Sequence, residues 1–208
     1  MSTNPKSSTR ALLIWVALAT IVVVPIALAG LSPLLAWREP VYIVAGFAGI
    51  VAMAFMLVQP LLVGGYLPGL PGFRGRRVHR MIEGVLVMAV VIHVAGLWIT
   101  SPPDVIDALM FNSPTPFSAW GVVAMWAVFA AALVAIFHRR IGLGPRVWRF
   151  VHAALVATVV PCGIIHALLI EGTMELITKT VLCALVGIAT AKVLLELKPW
   201  AGLTRRRG

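Results

Sequence analysis

Five histidines stand in the 208-residue chain, and four of them form two pairs of equal spacing. His79 and His93 are fourteen residues apart, and so are His152 and His166. On an α-helix, fourteen residues make nearly four turns, so each pair shares one face to within about 40° and is spread over about 21 Å. Two parallel helices bearing such pairs would place His79 level with His152 and His93 level with His166. Four imidazoles at two levels about 20 Å apart cannot surround one small ion. They can instead grip two irons, each from both axial sides, with a flat macrocycle lying between the helices. An iron with both axial sites filled leaves no place for a substrate, which favours electron transfer over oxygen binding. The competing role for a membrane histidine is a hydrogen bond between helices.

The elements that must hold these histidines are apolar. Of the chain, 61% is hydrophobic and only 12% charged, and the mean hydropathy is +1.00. A soluble domain is about a quarter charged, so the composition puts the chain in a lipid bilayer. A span of about 20 apolar residues crosses roughly 30 Å of hydrocarbon. Six stretches are long enough: roughly 11–31, 41–66, 79–100, 117–137, 148–170 and 175–197. The expected fold is an all-α, six-transmembrane-helix bundle with two haems between the third and fifth helices. Residues 1–10 form a short N-terminal segment, 11–197 the haem-binding transmembrane domain and 198–208 a basic tail. The first apolar run exceeds the roughly 7–15 residues of a signal-peptide core, so it is expected to be retained as a helix.

Charge orients the bundle. Lys6, Arg10, Arg74, Arg76, Arg77, Arg80, Arg139, Arg140, Arg146, Arg149, Lys198, Arg205, Arg206 and Arg207 fall on one side, 14 of the 17 Lys and Arg residues. The positive-inside rule places that side, and both termini, in the cytoplasm, as in a bacterial inner membrane. The net charge of +10 is thus read as topology, and no nucleic-acid partner is expected. The opposite side holds Asp104, Asp107 and Glu171. Trp37, Trp98, Trp120, Trp148 and Trp200 fall near helix ends, as an interfacial belt would. Cys162 and Cys183 lie in apolar runs and read as small hydrophobes.

Other residues bear on the two levels. Arg77, Arg80 and Arg149 are placed to meet the carboxylates of the inner macrocycle, or serve as topology charges. Glu83, one turn after His79, is costly in a membrane span and is expected either to position a water or to pair with a base such as Arg80. Pro161, five residues before His166, removes a backbone hydrogen bond and is expected to kink its helix. Gly84 and Gly96 could admit a ring close to the third helix, or serve helix packing. His138, beside Arg139 and Arg140, reads as a surface residue.

The segments Arg77-Val78-His79, Ile92-His93, Trp148-Arg149-Phe150-Val151-His152 and Ile165-His166 resemble the ferric-reductase-like transmembrane domain over about residues 41–197. That family includes NADPH oxidases, ferric reductases and the bacterial haem subunit paired with a periplasmic methionine-sulfoxide reductase. The resemblance implies two b-type haems and electrons passing from a cytoplasmic donor to an outer, periplasmic acceptor. Larger members carry a flavin and nicotinamide domain; here no G-x-G-x-x-G fingerprint follows a strand. The donor is therefore expected to be a separate flavoprotein or a quinol. The expected function is the electron-transfer subunit of an oxidoreductase. The alternatives are a stand-alone reductase of ferric chelates or oxygen, and a haem-free transporter or assembly protein.

Overall fold

The computed structural model describes residues 5–200, and every regular element in them is helical. In chain order these are α1 (Pro5–Gly30), α2 (Pro40–Val63), α3 (Gly72–Thr100), α4 (Pro102–Leu109), α5 (Pro116–Phe137), α6 (Pro145–Leu169) and α7 (Leu176–Leu197). All but α4 are long and apolar enough to cross a membrane. The third and fifth spans are α3 and α6. Arg205, Arg206 and Arg207 of the expected tail lie outside the described residues.

Proline sets many of the starts. Pro40, Pro102, Pro116 and Pro145 open α2, α4, α5 and α6 at positions whose amide would have no intrahelical partner anyway. Glu175 caps α7, its carboxylate accepting from the amides of Ile177 and Thr178 at 2.8 Å each. Those two bonds hold its carboxyl below the ordinary range.

Several boundaries differ from the sequence expectation, α1 and α6 starting early at Pro5 and Pro145. Helix α3 begins at Gly72 rather than near 79, because Arg74, Arg76 and Arg77 are good helix formers and carry the helix beyond the apolar run. His79 therefore sits two turns inside a helix rather than at its start. Helix α2 ends at Val63, three residues early, where Gly64 and the positive-φ Gly65 turn the chain. The expected loop after α3 contains α4, which Ser101 stabilises by donating to Asp104 Oδ2 at 2.6 Å.

Packing arranges five spans as a closed circuit: α3 against α2, α2 against α7, α7 against α6, α6 against α5, and α5 back against α3. Helix α1 lies outside, on α2 and α7. The histidine-bearing helices α3 and α6 thus stand across the circuit from each other without extensive backbone packing. One core joins α2, α6 and α7 through Met53, Leu57, Val160, Leu182, Cys183 and Val186. A second joins α3, α5 and α6 through Leu86, Ala127, Val128 and Val159. Outward, large apolar side chains such as Leu12, Met88, Trp126, Leu133 and Ile188 remain exposed, as a lipid-facing surface requires. Both cysteines are free and buried.

Polar ties fasten the ends. Lys179 is buried and donates from Nζ to the Ile170 carbonyl at 2.7 Å, linking the start of α7 to the end of α6. At the other end of α7, Glu196 accepts from the Tyr66 hydroxyl and pairs with Lys192 at 3.4 Å.

Candidate cofactor-binding site

The circuit brings two of the four histidines, His93 and His166, into contact. At the end away from the arginines, His93 of α3 and His166 of α6 face each other, ring centroids 6.3 Å apart and planes at 83°. Each ring is fixed from behind. His93 Nδ1 lies 2.7 Å from the Ala45 carbonyl of α2, and His166 Nδ1 lies 2.9 Å from the Phe117 carbonyl of α5. With both Nδ1 atoms donating to carbonyls, both Nε2 atoms are left as acceptors.

Glycine makes room for these rings. A Cβ on Gly121 of α5 would stand 2.6 Å from His166 Nδ1 and Cε1, and one on Gly49 of α2 would stand 3.0 Å from His93 Nδ1. The glycines singled out from sequence have other roles. Gly96 is a packing residue, with Ala45 Cβ 2.7 Å from where its own Cβ would be, while Gly84 borders open space. Gly49 and Gly121 carried no sequence signal, because the histidines they accommodate are on other helices.

The pair nearer the arginines is looser. No ring contact joins His79 and His152 among the described residues, where His93 and His166 have one. Gln59 of α2 straddles the His79 turn. Its side-chain amide group lies 2.5 Å from His79 Nδ1, 3.2 Å from the His79 carbonyl and 3.0 Å from the Glu83 amide nitrogen. A primary amide in an apolar span is costly without partners, and that cost was the one signal in the sequence that could have found it. His152 Nδ1 is buried and bonded to nothing among the described residues. The Ala131 carbonyl of α5 is its backbone neighbour.

The remaining candidates fall at this same end. Arg77, Arg80 and Arg149 are exposed; Arg149 Nε donates to the Pro145 carbonyl at 2.8 Å. Glu83 and Arg80 form no ion pair among the described residues, so the expected pairing is not made. Helix α6 runs unbroken through Pro161. His138 is the C-cap of α5, but its ring is half-buried and stacked on Trp148, so it is not simply a surface residue.

The arrangement could join two metal centres to four imidazoles, two per level. No cluster of three or more His, Cys, Asp or Glu side chains suited to a bare ion occurs among the described residues. No protein-family model, curated protein or solved structure matches this chain.

Proposed function

We propose that this chain is a transmembrane di-haem cytochrome of the b type, with His79 and His152 as the axial ligands of one iron and His93 and His166 as those of the other. The His93–His166 pair carries the reading. A metal–imidazole bond is about 2.0–2.1 Å and the ring centre lies about 1.1 Å behind the nitrogen, so two rings sharing one metal stand about 6.3 Å apart. The observed separation is 6.3 Å. Carbonyls on both Nδ1 atoms add a second support, since such bonds set the tautomer and orientation of metal-ligating histidines.

A haem at each level would supply a one-electron carrier. The chain's own groups would bind and orient it: the imidazoles would hold it, the Ala45 and Phe117 carbonyls fix the rings of His93 and His166, and apolar helices exclude water. Arg77, Arg80 and Arg149 crowd the end where the carboxylates of the nearer macrocycle would emerge. The positive-inside rule puts that end in the cytoplasm, most naturally across a bacterial inner membrane. Electrons would then arrive there from a flavoprotein or a quinol and leave at the opposite face to an acceptor. This is the arrangement implied by the resemblance to the ferric-reductase-like domain. An iron held by two imidazoles has no open position for a substrate, so we assign the substrate chemistry to a partner.

The pyridine haemochrome assay on the purified chain tests the reading. Two haems b per chain are expected; a chain that binds none when haem is in excess sinks it. The close approach at Gly121 gives a sharper test. In Gly121→Val the new side chain displaces the His166 ring, and haem content is expected to fall from about two toward one. Gly46→Ala, whose Cβ would meet nothing within 4 Å, is the control that keeps both.

A further inference from the structure

Three rings form a continuous series from the arginine-rich end to the nearer histidine level. His138 ends α5, its amide donating to the Val134 carbonyl at 3.0 Å and its Nδ1 lying 2.9 Å from the Ala135 carbonyl. Its ring stacks on Trp148, centroids 4.7 Å apart and planes at 24°. Trp148 lies in the first turn of α6, and its indole leans on His152 at 5.7 Å and 59°. One helical turn thus carries the series from a half-buried rim position to His152. The rim around it is cationic. Arg139, Arg140, Arg146 and Arg149 are all exposed, and the segment 138–149 contains no acidic residue. A cleft of about 450 Å³ opens beside it, lined by Gly144, Pro145, Arg146, Val147 and Arg149.

An amphipathic indole at a membrane interface needs no partner beyond lipid and water. Here the indole is wedged between two imidazoles, one of them at the proposed ligand level. We propose that His138 and Trp148 form the path by which an electron reaches the His152 level, taken from a reduced flavin whose carrier presents acidic groups to the arginine rim. The inference rests on the di-haem reading. The flavin loses one electron and the iron at His152 gains it. The rings bridge the gap without being oxidised or reduced, no covalent bond in the chain changes, and any proton the flavin releases goes to water at the rim. The arginines draw the anionic donor to the outer end of the series.

The test uses the full haem-loaded chain in lipid nanodiscs, with reduced flavin mononucleotide as an anionic probe and reduced riboflavin as its neutral counterpart. In Trp148→Leu the rate of haem reduction by either flavin is expected to fall about tenfold, the low end of the loss when a ligand's outer partner is removed. Haem content and midpoint potentials stay at wild-type values, and Trp148→Phe restores most of the rate. In a variant with Arg139 and Arg146 both changed to Gln, the mononucleotide is expected to slow to the riboflavin rate while riboflavin is unaffected. Wild-type reduction rates in Trp148→Leu with both haems bound would overturn the proposal. So would loss of haem from both Trp148 variants, which would make the indole a packing residue. A wild-type chain that binds no haem fails before any variant is made, and that result overturns the di-haem reading itself.

Discussion

Under the proposed function, His166→Ala is expected to bind one haem b per chain where the parent is expected to bind two. His166 and His93 hold nothing else in common: each leans on a separate helix, through the Phe117 and Ala45 carbonyls. With one imidazole removed, only His93 would remain to hold a haem iron at this level. Losing only an outer partner of a metal ligand costs roughly 10–100-fold in affinity or activity, and losing the ligand costs more. Passage of electrons to the far face should therefore fall beyond that range. Pyridine haemochrome content and reduced-minus-oxidised spectra read the result directly. Two haems with unchanged spectra in this variant would contradict the assignment of His166.

The complementary result belongs to the other level. His152→Ala should release the haem near the arginine-rich end and leave the far one partly bound. The far pair keeps both carbonyl anchors and both glycine clearances, none of which involves His152. The surviving spectrum should match the component lost in His166→Ala, so the two variants together partition the parent spectrum. The nearer pair has the looser geometry, with Gln59 as the anchor of His79 and no bonded partner for His152 Nδ1. If His152→Ala retains both haems, pairing by level is wrong, whatever else the bundle binds.

Much of this arrangement was legible before any coordinates. The spacing of His79 from His93, and of His152 from His166, fixes depth and face along one helix. The apolar runs locate six spans, and all six are helices in the structure. What periodicity cannot supply is the neighbour across the gap. Gly121 matters because of a ring on α6, Gly49 because of a ring on α3, and Gln59 because α2 packs along the His79 turn. Each is an unremarkable residue on its own helix. Trp148 and His138 were misleading for a related reason. A tryptophan or a histidine at a helix end is the ordinary occupant of a membrane interface, and only the meeting of α5 and α6 stacks them. Hydropathy alone does not reveal the early start of α3 or the short α4, which follow from arginine being a good helix former and Pro102 a good first residue.

The second core described above has a position that bears on energetics. Leu86 stands seven residues from both His79 and His93, and Val159 seven from both His152 and His166, so this layer lies midway between the levels. With Ala127 and Val128 it makes a greasy septum with no side chain able to hand on a proton. Under the proposed function, an electron crossing it without a proton would travel uncompensated. The transfer is then electrogenic, sensitive to the resting voltage by up to about 2.3 kcal/mol per 100 mV for a full crossing. An inside-negative cell would push electrons outward through this protein, and each turnover would run that voltage down.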